Sequence, residues 1–89
     1  MNDVRVIVLD RRDRLGEGPL WSARENAVYW VDILDHRINR LSLDDDTVES
    51  FSQPDYAAWI IERACGGFVA GIGLDIVALD LPANTRAPL

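Results

Sequence analysis

One glutamate near the start of the chain stands out because small and rigid residues surround it. Glu17 lies between Gly16 and Gly18, and Pro19 follows directly. The glycines remove side-chain bulk and let the backbone turn sharply, while the proline fixes the backbone dihedral at which the next segment begins. A carboxylate presented in this way can bind a hard divalent cation, because such ions prefer oxygen ligands. On these residues alone, a solvated turn glutamate is the simpler interpretation.

Three other polar groups could carry chemistry, and each has a plainer structural interpretation. Asp32 lies inside an apolar strand, where we expect backbone donors to satisfy a buried carboxylate. The run Asp44–Asp46 lacks the alternate-residue spacing, central glycine and terminal glutamate of an EF-hand loop, so it predicts a hairpin turn. His36 is the single histidine, and the sequence offers it no nucleophile to activate, so we expect an exposed turn residue.

The remaining candidates also favour structural roles. Cys65 has no base beside it in the sequence, so we expect a small buried residue. The pair Gly66-Gly67 predicts a hairpin turn and not a phosphate-binding loop, because the chain contains no lysine for a P-loop. Large aromatic rings pack well between sheets, and this is the role we predict for Trp21, Trp30 and Trp59.

Composition narrows the range of partners and locations. A chain of 89 residues has room for one small domain. The net charge of −6 disfavours nucleic acid and anionic membrane surfaces as partners, because both require a basic face. A single cysteine excludes an intrachain disulfide, and no apolar run approaches the roughly 20 residues of a membrane span. With no signal-peptide pattern at the start, the sequence predicts a cytoplasmic protein that does not associate with membranes.

Strand signals dominate the rest of the chain, and helix signals are hard to find. Turn signals recur about every 8 to 12 residues, which is typical of an all-β antiparallel meander. The strands are predicted at 4–9, 19–21, 28–33, 37–43, 47–51, 56–61, 68–72 and 76–81. Four of them lie in 19–51, and the pattern begins again with three in 56–81. Such a unit, repeating at roughly 40 residues, is typical of a propeller blade.

Two stretches carry recognisable motifs: Leu15–Trp21 is LGEGPLW, and Val28–Ile33 is VYWVDI. They resemble the LGEGPxW motif that opens the first blade, and the YWVDI strand, of the SMP-30/gluconolactonase/regucalcin-like (LRE) family. Arg37–Arg40 is similar to the next strand, and Gly66–Ala70 to the second-blade hairpin. The resemblance covers about residues 4 to 81.

The resemblance implies a partial six-bladed β-propeller of about two blades. One region spans residues 1–89: the strand at 4–9 would belong to the last blade, which is missing here. Residues 15–52 would form blade 1, residues 56–81 part of blade 2, and residues 82–89 an irregular tail.

The resemblance also implies a function. Members of the family hydrolyse sugar lactones with a divalent metal at one mouth of the propeller channel, and Glu17 matches one of three protein ligands to that metal. The other two, an asparagine and an aspartate, would come from blades beyond residue 89. We therefore expect a fragment or truncated member of this hydrolase family, catalytically incomplete alone, with weak or no binding of Ca²⁺, Zn²⁺, Mn²⁺ or Mg²⁺. A sugar lactone would be its substrate once it is completed.

An alternative follows from the open edges of two isolated blades. Unpaired strand edges promote association, and symmetric assembly is the usual way to cover a self-complementary surface. The chain would then be a non-catalytic small β protein that forms homo-oligomers through its exposed blade edges.

Overall fold

A computed structural model describes residues 16–89, which form eight strands. They make two four-stranded antiparallel sheets, and within each sheet the strands follow chain order. Sheet 1 consists of β1 (Gly16–Ser22), β2 (Ala27–Asp32), β3 (Arg37–Ser42) and β4 (Val48–Ser52). Sheet 2 consists of β5 (Ala57–Glu62), β6 (Phe68–Ile72), β7 (Asp75–Asp80) and β8 (Thr85–Pro88). The predicted all-β antiparallel meander is confirmed, while the strand predicted at 4–9 lies outside the described residues.

Two predicted boundaries are wrong. Residues 82–89 were expected to be irregular, but β8 pairs with β7 from Asp80 opposite Thr85 to Val77 opposite Pro88. Sheet 2 therefore has four strands and not three. A short, exposed edge strand that ends in proline gives a weak sequence signal, because proline removes a ladder donor and is tolerated only at such edges. The second error concerns the segment before Pro19, which belongs to β1 from Gly16 onward.

The two sheets pack face to face through side chains that alternate along each strand. At the centre, the rings of Tyr29 on β2 and Phe68 on β6 lie 4.8 Å apart between centroids, tilted by 57°. Tilted ring pairs of this kind stabilise a core by more than their buried area alone. The buried core consists of Ala27, Tyr29, Val31, Ile38, Phe51, Ala57, Ile60, Phe68, Ala70, Ile72 and Leu79.

The first strands of the two sheets lie next to each other. β5 packs against both β1 and β2. Ser22 at the end of β1 contacts Glu62 at the end of β5, so the two first strands run in the same direction. They consequently begin at the same end of the molecule, which we call the Glu17 end.

The other face of sheet 2, which we call its outer face, is apolar. Trp59, Ile61 and Ile76 on this face are exposed, and the Trp59 indole lies over Gly71, where a β-carbon would collide with the ring. Ladder partners continue the same face with Val69, Ala78 and Ala87.

The prediction that all three tryptophans pack between the sheets is wrong for these two sheets, because none of the three belongs to the core between them. Trp21 and Trp59 are exposed, and Trp30 is half-buried. Residues 16–89 contain no helix that is long and apolar enough to cross a membrane.

Candidate functional site

Glu17 lies at the start of β1 with its side chain exposed. Its backbone pairs with Val31, but the register shifts before the next paired residue, Leu20. Gly18 has φ 57°, in the left-handed region that residues with a β-carbon rarely adopt. The glycine therefore serves a β-bulge inside a strand, and not the sharp turn before a strand that the sequence suggested. Bulges redirect neighbouring side chains, and this one directly follows the glutamate.

Three connecting segments meet around the Glu17 end and are tied together by backbone hydrogen bonds. The β2–β3 turn joins the β4–β5 segment, because the Gln53 N–H donates to the His36 carbonyl at 2.7 Å. The β6–β7 turn joins the same segment, because the Gly73 N–H donates to the Tyr56 carbonyl, also at 2.7 Å. The rings of His36 and Tyr56 meet edge to face, with centroids 4.9 Å apart and planes at 88°. These contacts make the Glu17 end a connected surface.

Asp32 lies beside Glu17 in the ladder but is engaged elsewhere. It is fully buried, its backbone is opposite Gly16, and its Oδ2 is 3.1 Å from the Arg37 guanidinium. The predicted burial is confirmed, and the Arg37 guanidinium on the neighbouring strand pairs with this carboxylate. The charge is thereby compensated, as buried charges require.

The described residues do not make a metal site by themselves. Within residues 16–89, no three His, Cys, Asp or Glu side chains are close enough together to hold a metal ion. Glu17 offers one carboxylate, and Asp32 is already ion-paired. Since Ca²⁺ takes six to eight oxygen ligands, a cation at the Glu17 end requires further donors.

The acidic run and the glycine pair lie in turns, as predicted. Asp45 accepts hydrogen bonds from the Thr47 hydroxyl at 2.7 Å and the Thr47 N–H at 3.2 Å. These bonds stabilise the carboxylate and lower the pKa of Asp45. Gly66 and Gly67 have positive φ values of 105° and 72° in the β5–β6 turn. Cys65 is in the same turn and is exposed, so the prediction of a buried residue is wrong.

A polar cluster at the opposite end was missed entirely. The Ser22 hydroxyl donates to Glu62 Oε2 at 2.6 Å, and the Arg24 guanidinium is 3.1 Å from the same oxygen. The hydroxyl also accepts the Glu25 N–H at 3.3 Å. The Ser22 bond is the main reason why the pKa of Glu62 is lowered, and Arg24 adds to it. No local signal could have revealed a contact between residues 40 positions apart.

Comparison with known proteins places these features in a family. Residues 15–89 match the SMP-30/Gluconolactonase/LRE-like region. A 6-deoxy-6-sulfogluconolactonase from Pseudomonas putida is 36% identical over 80 residues, which cover 90% of this chain and 28% of the relative. Regucalcin from Danio rerio is 25% identical over 81 residues, with the same two coverages. A pentonolactonase from Haloferax volcanii is 52% identical over 33 residues, or 37% of this chain and 11% of the relative.

The fold has a counterpart among solved structures. The crystal structure of regucalcin from Agrobacterium tumefaciens, described as a calcium-binding protein, matches with a TM-score of 0.79 at 16% identity. The match covers 85% of this chain and 26% of that one. The chain thus spans little more than a quarter of the length of the first two curated relatives. The match over residues 15–89 shows that this chain belongs to the SMP-30/gluconolactonase/LRE-like family.

Proposed function

We propose that this chain supplies one end of the active site of a divalent-cation-dependent sugar-lactone hydrolase, with Glu17 as a metal ligand. The observation that carries the proposal is the placement of Glu17: an exposed carboxylate at the start of β1, next to a β-bulge at which Gly18 has a positive φ. Two relatives named as a sulfogluconolactonase and a pentonolactonase support the substrate class. The calcium-binding description of the solved regucalcin supports the cation.

The contribution of the described residues is to hold the carboxylate in place. The β1–β2 ladder fixes the backbone of Glu17 against Val31, and the buried Asp32–Arg37 ion pair stabilises the neighbouring strand ends. Co-ligands come from outside the described residues. A bound Ca²⁺, Zn²⁺, Mn²⁺ or Mg²⁺ would supply Lewis-acid chemistry toward the lactone carbonyl or the attacking water. The proposed location is the cytoplasm.

The experiment is a Mn²⁺ titration followed by amide resonances, because a paramagnetic ion broadens the signals of nearby nuclei. We expect broadening at Gly18 and Val31 in the wild-type chain and none in Glu17→Gln. Glu49→Gln removes an exposed carboxylate from β4 and is the matched control, which should behave as wild type. Lactone hydrolysis with added Ca²⁺, Mn²⁺ or Zn²⁺ is measured on the same variants. Equal broadening in wild type and Glu17→Gln, or cation-dependent turnover that is measurable and equal in both, would remove Glu17 from the proposed site.

A further inference from the structure

The His36–Tyr56 ring pair, which the metal proposal does not use, lies at the same end as Glu17. The two rings meet edge to face at 4.9 Å. Tyr56 is a large aromatic residue that is 50% exposed, and it directly precedes β5, the strand packed beside β1. His36 ends the β2–β3 turn, and β2 is the ladder partner of β1. Both residues therefore lie in segments at the Glu17 end.

Hydrogen bonds of the backbone hold both residues of the pair in place. His36 has φ 53°, and its carbonyl accepts the Gln53 N–H at 2.7 Å. The Tyr56 N–H donates to Asp55 Oδ1 at 2.7 Å, and its carbonyl accepts the Gly73 N–H at the same distance. Each ring thus belongs to a segment whose backbone is hydrogen-bonded to a neighbouring connecting segment. An exposed ring that is held in place loses little conformational freedom when a ligand contacts it, and such anchors bind well.

The strand ladder gives the approximate distance between the backbone next to His36 and the backbone next to Glu17. Gly16 is opposite Asp32 and Asp32 is opposite Arg37, so the backbone beside His36 lies two strand spacings, or about 10 Å, from that of Gly16. The aromatic pair therefore lies at the same end of the molecule as Glu17, on neighbouring strand ends.

The chemistry of the pair suits a cyclic polyol. A sugar lactone ring presents C–H bonds on its faces and hydroxyl groups on its rim. The face of an aromatic ring carries the negative part of the π quadrupole, which attracts the weakly positive hydrogens of such a C–H face. The carboxylate of Asp55 is adjacent in sequence to Tyr56, and rim hydroxyls are donors that a carboxylate accepts.

We propose that His36 and Tyr56 form a platform for the ring face of the lactone and so determine specificity for cyclic sugar derivatives. This inference rests on the proposed lactone hydrolysis, and it concerns ring binding and not the cation. Tyr56 is the ring assigned to the ligand because it is 50% exposed, and the T-shaped contact with His36 holds its orientation. The platform selects ligands with a closed ring over open-chain polyols that carry the same hydroxyl groups.

The test follows the aromatic resonances of Tyr56 and His36 while methyl β-glucopyranoside, a stable six-membered sugar ring, is added. Glucitol, an open-chain polyol, is the matched ligand. We expect the glucoside to shift both rings at concentrations where glucitol leaves them unchanged. Tyr56→Ala should weaken binding about tenfold, as the loss of a stacked aromatic face requires, and Tyr56→Phe should retain it. Tyr56→Leu preserves apolar bulk if the alanine variant fails to fold.

Two controls separate this proposal from the previous one. Trp59→Ala removes an exposed aromatic ring from the outer face of sheet 2, away from the platform, and should leave glucoside affinity unchanged. Glu17→Gln should also retain glucoside binding, because the carboxylate is not part of the platform. Equal shifts with glucitol and the glucoside, or unchanged affinity in both Tyr56→Ala and Tyr56→Leu, would overturn the platform. The Mn²⁺ result at Glu17 would stand in either case.

Discussion

The contact between Ser22 and Glu62 joins the ends of β1 and β5, and we predict that it contributes measurably to the stability of the folded chain. Ser22→Ala removes a hydroxyl that is fully buried and that donates to a carboxylate at 2.6 Å. A hydrogen bond to a charged group contributes about 1.5–3 kcal/mol. The Glu62 side chain retains 20% exposure, so water replaces part of the bond, and we expect a loss of about 1–2 kcal/mol in the free energy of unfolding.

The neighbouring ion pair should contribute less. The Arg24 side chain is 47% exposed, and exposed pairs typically contribute about 0–1 kcal/mol. Arg24→Ala is therefore the matched control, because it removes a partner of the same Glu62 oxygen from the solvent side. A chain of 89 residues has an expected total stability of about 4–13 kcal/mol, so the two losses are distinguishable by urea denaturation followed by tryptophan fluorescence.

The same contact gives a pH dependence with a defined sign. Because the folded-state pKa of Glu62 is lowered, the unfolded chain binds the proton more readily. The contribution of Glu62 is thus complete above the unfolded glutamate pKa of about 4.3 and is lost as the pH falls through the lower folded value. We expect the stability difference between wild type and Glu62→Gln to shrink as the pH falls from about 6 to 3. Parallel curves over that range, or a Ser22→Ala loss no larger than that of Arg24→Ala, would refute the reasoning.

Two further predictions concern the Glu17 end and the core. Gly73→Ala should destabilise the chain by about 1–2 kcal/mol because its φ is +60°, and its β-carbon would lie 2.5 Å from an Asp55 carboxylate oxygen. Adding Asp55→Ala to Gly73→Ala should restore only the stability lost to the collision and not that lost to the positive φ. If urea denaturation shows that the double variant regains the full wild-type stability, backbone strain is not the cause. Phe68→Ala, which removes the ring packed on Tyr29, should cost about 3–5 kcal/mol. If Phe68→Ala unfolds at the same temperature as the wild type, this ring pair does not stabilise the core.

The fold was largely predictable because its signals are local. The strand predicted at 28–33 corresponds to β2 at Ala27–Asp32, since a β-branched and aromatic run needs no distant partner to be recognised. β8 escaped prediction because it is short, exposed and ends in proline. Its existence depends on the ladder offered by β7.

The arrangement of the candidate site was predictable only in part. The glycine-flanked Glu17 is visible in the sequence, but whether Gly18 serves a turn or a bulge depends on pairing with β2. The His36–Tyr56 pair and the Ser22–Glu62 contact arise from segments that are distant in sequence and meet when the sheets pack. Cys65 was misjudged because a residue in an exposed turn contributes nothing to a core, whatever its intrinsic preference for burial.

The apolar outer face of sheet 2 has a consequence for any measurement on this chain. Trp59, Ile61 and Ile76 project from it into solvent. A molecule that binds this face binds the folded chain and not the unfolded one, so by mass action it would raise the apparent stability with the logarithm of its concentration. Melting temperatures of this chain should therefore be compared only at a fixed protein concentration, and a rise with concentration would indicate self-association of the folded chain.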